Sequence, residues 1–265
     1  MIWRNLSPPS DFQGAVTGMS QESSPARNHT QRTDRIAVRA NGLLSDCRRA
    51  FHAFGELDEL AENLRILSLN AELAAGRAGD KGRAVRALTQ YTRELVNRLA
   101  QIQGEMNTLR GRTFGLSSTI LRGLLQLSLF ERACGLINDG EHDARANSAA
   151  DRAFSEIMRM LVDTLDAMAN SVNDLARRAH GVEEVVSQSD SIATNIAIEA
   201  AAAGVHEKEF RTVSDTMRHY VDDLRQMIDE ASDAVRRASE KGESLRRLGL
   251  DSLGELEDNF QRAIP

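Results

Sequence analysis

Proline is almost missing from this 265-residue sequence: four prolines occur, and none lies between Ala26 and Ile264. No helix in that range is therefore forced to end by an absent backbone N–H. Aromatic residues make up 4% of the chain, too few to fill the core of a typical sheet protein. The two cysteines, Cys47 and Cys134, cannot build a disulfide framework and are typical of a reducing compartment. These scarcities favour long helices.

Long apolar runs and an excess of basic residues are also missing. The most apolar stretch, Ile120 to Ile137, is interrupted by Arg122, Glu131 and Arg132, so we expect no membrane insertion. Residues 1–33 lack the continuous apolar segment of a signal peptide and are interpreted as a flexible leader, which predicts a cytoplasmic protein. The 33 Lys and Arg residues against 39 Asp and Glu predict no nucleic-acid partner.

Apolar residues recur at alternating intervals of three and four, the pattern of a coiled-coil seam. In the segment from Phe154 to Ala200, thirteen of fourteen seam positions are apolar. Glycine-containing breaks near 78–81, 138–148 and 204–206 divide the chain into helices of roughly 34–77, 82–137, 149–203 and 207–262. The sequence therefore predicts an all-α, elongated antiparallel four-helix coiled-coil bundle. It consists of two tandem hairpins, 34–137 and 149–265.

The two predicted hairpins are related by an internal repeat. A shift of 125 residues aligns them without a gap from the fifties to about residue 109, and it places Asn70 on Asn195 and Gly79 on Gly204. Two heptad sequences always align on their apolar positions, but a shared asparagine and a shared turn glycine are not explained in that way. Duplication of a helical hairpin accounts for both.

The segment from Leu69 to Arg83, LNAELAAGRAGDKGR, resembles the hairpin tip of methyl-accepting chemotaxis proteins. A second copy begins with NIAIEAAAAG at Asn195 and continues in the segment from Phe210 to Arg218. In that family the tip of a homodimeric four-helix bundle binds a histidine kinase and its coupling adaptor, and it contacts other receptors. The resemblance implies that one chain here supplies both hairpins, as a monomeric pseudo-dimer.

The resemblance also implies a set of partner-binding residues at the tip. In the first half these are Ile66, Leu67, Asn70, Ala71, Arg77, Asp80 and Arg83. In the second half they are Ile192, Asn195, Ile196, Glu199, Lys208 and Phe210. The sequence departs from the family pattern at Ala74, Ala202 and Val205, where the family has charged residues.

The pair Glu183-Glu184 is the nearest match to the family's methylation sites, which are paired Glu or Gln residues flanked by small ones. An acidic pair on a solvated helix face is the alternative interpretation.

Three functions follow from these features. The first is a signalling or adaptor protein whose tip docks on a chemosensory histidine kinase, its coupling adaptor or chemoreceptors. The second is a structural or inhibitory bundle that has lost kinase contact, as the altered tip residues suggest. The third is an enzyme, which we do not expect because no convergent polar cluster is visible. No cofactor is predicted, and no metal, because no two of the six histidines have i,i+4 spacing.

Overall fold

The computed structural model describes residues 25–137 and 144–262, and in this part of the chain all long elements are helices. Two short 3₁₀ turns, Gly79–Gly82 and Gly204–His206, separate helices that reverse direction. The helices are α1 (Pro25–Ala53), α2 (Leu57–Arg77), α3 (Arg83–Ile137), α4 (Ala144–Ala202) and α5 (Glu207–Arg262). At about 1.5 Å per residue, α3 is roughly 80 Å long.

The helices pack as an antiparallel four-helix bundle, which confirms the predicted fold class. Each of α3, α4 and α5 packs against its neighbour in the chain, and α5 also packs against α1 and α2. Both α1 and α2 contact α3 and α5, so together they occupy one corner of the bundle.

The core follows the predicted heptad seam. All fourteen seam positions between Phe154 and Ala200 in α4 are buried, including the polar Ser189. In one part of α5 the inward positions are occupied by small side chains, which leave room for larger side chains of the neighbouring helices. These fully buried residues are Ala231, Ala234 and Ala238. The bundle is thus held by one continuous apolar core along its length.

The prediction of one unbroken helix over 34–77 is wrong. The helix begins at Pro25, a residue suited to a first helical position, and is interrupted by a turn at residues 54–56 before α2 starts at Leu57. Phe54 and Leu57 on either side of the turn are both buried. The break therefore changes the local backbone without moving the apolar seam off the core.

Two other predicted boundaries differ from the structure. Helix α4 begins at Ala144 and not near residue 149, and the expected leader 1–33 overlaps the first turns of α1. Residues 1–24, 138–143 and 263–265 lie outside the described part of the chain. The flexible leader and the connecting loop remain predictions there, as does the division into two tandem hairpin domains.

The most apolar stretch of the sequence lies in the second half of α3. Its inward residues Ile120, Leu124 and Leu127 are buried in the core, whereas Leu121 and Leu125 are exposed to solvent. No helix within residues 25–137 or 144–262 is both long and apolar enough to cross a membrane.

Candidate functional site at the paired bends

Each hairpin reverses at a glycine in the left-handed region of backbone space. Gly79 has φ of 60° and Gly204 has φ of 64°, values at which a side chain is strained. The preceding residues close the helices, since the N–H of Ala78 donates to the carbonyl of Ala74 at 3.1 Å and that of Ala203 to Ala200 at 3.0 Å. Both bends therefore place a left-handed glycine directly after the end of a helix, at positions 125 residues apart.

The two bends lie side by side at one end of the bundle. A Cβ atom at Gly204 would lie 3.2 Å from Nζ of Lys81 in the first bend. Arg77, at the end of α2, forms an ion pair of 3.3 Å with Glu209, at the start of α5. The counterparts of Arg77 and Glu209 under the 125-residue shift are Ala202 and Ala84, which are uncharged, so the ion pair has no equivalent on the opposite side. The tip is thus paired but asymmetric.

Hydrogen bonds fix the register of each hairpin at the same height. The hydroxyl of Ser68 in α2 donates to the carbonyl oxygen of Thr89 in α3 at 3.0 Å. In the second hairpin the hydroxyl of Ser214 in α5 donates to the carbonyl oxygen of Ala193 in α4 at 2.9 Å. Residues 68 and 89 correspond to residues 193 and 214 under the 125-residue shift. The same contact therefore occurs in both hairpins, with the donor on the first helix of one hairpin and on the second helix of the other.

The polar residues predicted at the tip are accessible. The exposed ones are Asn70, Arg77, Asp80, Arg83, Asn195 and Lys208, while Glu199 is half-buried. Arg83 donates to the carboxylate of Asp80 at 2.9 Å, an exposed pair within the first bend. The two bends consequently present both signs of charge on one small surface, which is suited to polar recognition of a protein partner.

The apolar part of the predicted site requires a correction. Five residues expected on the surface are core residues, because they occupy the inward seam of their helices: Leu67, Ala71, Ile192, Ile196 and Phe210. Of the predicted apolar residues, Ile66 is accessible, with 47% of its surface exposed. The five buried side chains support the tip from within and are not available to a partner that binds the folded bundle.

The region of the bends also carries exposed apolar residues that were not predicted as site residues. Leu73 is 63% exposed, and Ile198, its counterpart 125 residues later, is 62% exposed. Val205, within the second bend, is 92% exposed. The available signal was that Leu73 and Ile198 fall between seam positions and yet are apolar in both copies of the repeat. Unlike the five buried residues, these three side chains are accessible on the surface of the tip.

Glu183 and Glu184 lie on the solvent side of α4 in a network of ion pairs. Glu184 pairs with Arg98 across the α3–α4 interface, and Nδ1 of His180 lies 3.1 Å from a carboxylate oxygen of Glu183. These contacts are those of an acidic pair on a solvated helix face. Methylation of the pair remains a prediction.

Other candidate chemistry is limited in the described residues. No cluster of His, Cys, Asp and Glu there is able to hold a metal ion. Cys47 is buried in the seam, and its burial, together with the nearby charge of Asp46, raises the pKa of the thiol to about 12. Such a thiol packs as a small apolar group. The side chain of Cys134 lies outside the described residues.

Comparison with known proteins supports a chemoreceptor-like domain. A stretch of 113 residues, 40% of the chain, is 26% identical to the aerotaxis receptor of Escherichia coli strain K12 and covers 22% of that protein. A stretch of 134 residues, 50% of the chain, is 28% identical to the methyl-accepting chemotaxis protein CtpL of Pseudomonas aeruginosa and covers 19% of it.

The chain thus matches about a fifth of the length of each of these two relatives. No family model matches the chain. No solved structure matches it either. The partial matches show that this helical bundle is similar, over part of its length, to proteins of chemotaxis signal transduction.

Proposed function

We propose that this chain is a cytoplasmic, chemoreceptor-like signalling or adaptor protein whose paired bends dock on a chemosensory histidine kinase, its coupling adaptor or the tips of chemoreceptors. The observation that carries the proposal is the contact between the two bends. Lys81 approaches Gly204, and Arg77 pairs with Glu209, so the two copies of the tip motif form one surface. Partial similarity to two chemotaxis receptors supports the same function.

The proposed contact combines exposed apolar residues with a polar border. Leu73 and Ile198 lie on α2 and α4, at equal distances from their bends. Asn70, Arg77 and Asn195 are among the exposed polar residues within about one turn of them. A few desolvated apolar residues inside a polar rim are the usual composition of a compact protein interface.

The proposal includes a monomeric pseudo-dimer, in which one chain supplies both hairpins. Two α-helical hairpins of one chain bury a common seam, which an isolated amphipathic hairpin would leave exposed to water. The differences between the two copies, such as Arg77 in the first and Ala202 in the second, make the two faces of the tip unequal. We therefore expect one face of the tip to dominate partner binding.

Pull-down of the chemosensory kinase and of the coupling adaptor encoded in the same genome tests the proposal. Asn70→Asp, Arg77→Glu and Leu73→Glu each alter an exposed tip side chain, and we expect each to abolish capture while circular dichroism shows unchanged helicity. Arg122→Glu is the matched control, because Arg122 is an exposed arginine of α3 far from the bends. Capture that survives all three tip changes would show that the tip is not the docking surface.

A structural or inhibitory bundle without kinase contact is the second candidate function. The observation that favours it is Val205, an almost fully exposed apolar residue at a position where the resembling family has an acid. Ala202, also exposed, lacks the charge of its counterpart Arg77. Imaging of the tagged protein together with receptor arrays separates the two functions. Co-localisation supports docking at the arrays, and a diffuse signal in cells with intact arrays supports the second candidate.

A further inference from the structure

The outer face of α3, far from the bends, carries an exposed row of apolar side chains. Exposed fractions are 44% for Phe114, 45% for Leu121, 59% for Leu125 and 53% for Leu129. Their spacing of seven, four and four residues places them along one face of the helix. We call these four residues the outer stripe. It extends about 22 Å along the helix axis.

The outer stripe is separate from the core seam of the same helix. Ile120, Leu124 and Leu127 point inward and are buried, so α3 is apolar on two opposite sides in this region. A helix that is apolar all round is usually covered on both sides. The ring of Phe114 lies 6.1 Å from that of Phe51 in α1, which covers one end of the stripe. The three leucines remain about half exposed.

Arginines border the outer stripe. Arg110 lies four residues before Phe114, Arg122 three residues before Leu125, and Arg132 three residues after Leu129, so all three lie on or beside the same face. All three are exposed, and none takes part in an ion pair with another residue of the described chain. After Glu105, the acidic residue of α3 is Glu131, which is half-buried.

The charge around the stripe differs from that of the rest of the protein. Helix α1, which packs beside α3, has six arginines against two aspartates, and α3 has eight arginines against three glutamates. In α4 and α5 acidic residues outnumber basic ones, and the whole chain has a net charge of −6. Around the outer stripe itself, residues 110–132 of α3 hold four arginines and one glutamate, so positive charge is concentrated in this part of the helix.

From this combination we infer that the outer stripe binds an anionic lipid surface, with the rod lying along it. The leucines enter the boundary between headgroups and acyl chains, and the long arginine side chains extend to lipid phosphates. A straight row needs no complementary groove, so a flat bilayer fits it. The binding is peripheral, because the stripe residues are only about half exposed and occupy a single face of one helix.

A second copy of the chain is a poorer occupant of the same stripe. A two-fold contact of α3 with its own copy would bring the rows of Arg110, Arg122 and Arg132 together without acidic partners on that face. Like charges held opposite one another at such an interface oppose association. The positive charge of α3 around the outer stripe matches a uniformly anionic surface better.

Co-sedimentation of the full chain with vesicles tests the inference. Vesicles of phosphatidylcholine alone are compared with vesicles containing equal parts of phosphatidylcholine and phosphatidylglycerol, at low and at high salt. We expect sedimentation with the anionic vesicles at low salt, weaker sedimentation at high salt, and none with the neutral vesicles. Arg122→Glu should lower the partition coefficient by at least about five-fold. Leu125→Glu should lower it by about ten-fold or more.

Matched control variants separate this surface from the tip. Leu73→Glu changes a leucine of similar exposure near the bends, and Arg218→Glu reverses an exposed arginine of α5; both should bind vesicles as the unaltered chain does. Absence of binding to anionic vesicles would overturn the inference. So would equal loss in the controls, or a dimer in light scattering that Leu125→Glu dissociates. Kinase capture is scored separately, so failure here leaves the proposed function untouched.

Discussion

Asp46 of α1 accepts a hydrogen bond from Nε of Arg237 of α5 at 3.3 Å, across 191 residues of sequence. The Asp46 side chain is 4% exposed and also accepts from Nζ of Lys241. Burial on its own raises the pKa of Asp46, but the hydrogen bonds and charges of Lys241 and Arg237 outweigh it and hold the pKa below the ordinary value of 3.8. The carboxylate therefore links α1 to α5 in its charged form.

Removal of this charge should weaken the bundle in a pH-dependent way. Because the pKa of Asp46 is lower in the folded chain than in the unfolded chain, its contribution is complete above about pH 4 and is lost as the pH falls through the folded value. At pH 7 we expect Asp46→Asn to lower the free energy of unfolding by about 1.5–3 kcal/mol. Urea titrations at pH 7 and pH 3 should show the difference from the unaltered chain shrinking in acid.

Asp222→Asn is the control for that experiment. Asp222 pairs with Arg225 on the surface of α5 at 2.9 Å, and the Asp222 side chain is more than half exposed. Such pairs contribute less than about 1 kcal/mol. Equal losses from Asp46→Asn and Asp222→Asn at pH 7 would contradict a special role for the buried carboxylate.

Cys47 should be unreactive in the folded protein. With a pKa of about 12 its thiolate fraction at pH 8 is lower than that of a free cysteine by about three orders of magnitude, and the sulfur is also buried. In a Cys134→Ser variant, a thiol reagent should modify Cys47 in concentrated urea and not in buffer. Rapid modification of the folded variant would show that the Cys47 side chain is accessible and that α1 does not pack against the core at this position.

Substitution by alanine should have opposite effects on stability at two glycines, one in the turn before α3 and one within α3. A Cβ at Gly82 would lie 2.1 Å from the carbonyl oxygen of Ala75, whereas a Cβ at Gly104 meets nothing within 4 Å. We expect Gly104→Ala to stabilise the chain by about 1 kcal/mol, since alanine is the better helix former. Gly82→Ala should destabilise it, because the backbone of the bend must move. Thermal unfolding followed by circular dichroism measures both, and a stabilising Gly82→Ala would contradict the bend described here.

The serine contacts that fix hairpin register should be equivalent in the two halves. Ser68→Ala and Ser214→Ala each remove one hydroxyl bond between antiparallel helices, so each should cost about 0.5–1.5 kcal/mol. Ser118→Ala is the control, because that exposed hydroxyl donates to the carbonyl of Phe114 within its own helix at 3.0 Å. A negligible effect of Ser68→Ala beside a large effect of Ser214→Ala would contradict the equivalence.

The heptad pattern predicted the inward positions of the long helices, and the turn glycines predicted the two bends. Spacing of three and four residues fixes which side of a helix is apolar, and Gly79 and Gly204 both adopt the left-handed conformation expected of turn glycines. The turn at 54–56 was not predicted, because Phe54 and Leu57 are both buried seam residues and the heptad spacing continues across it. A break that does not shift the seam leaves no mark on the periodicity.

The accessible apolar residues were harder to predict from the sequence. Leu67 and Ile196 belong to the tip motif, but they also lie on the seam, and burial in the bundle takes precedence over contact with a partner. The outer stripe was not predicted because its residues are apolar and yet exposed. Where α3 is apolar on two sides, periodicity does not tell Leu125 from Leu124. The ion pairs of Asp46 were also not predictable from the sequence, because Arg237 and Lys241 become its neighbours only when α1 packs against α5.

A distance measurement between the two bends tests the central claim most directly. Asp80 and Val205 are highly exposed, so spin labels attached to cysteines at these positions should leave the core intact. Cys134 is replaced by serine, and Cys47 is kept because its buried thiol should not react in the folded chain. If the bends lie side by side, pulsed electron paramagnetic resonance should report one short distance between the labels. Bends at opposite ends of the rod would place the labels roughly 80 Å apart, and that result would contradict both the paired tip and the function proposed for it.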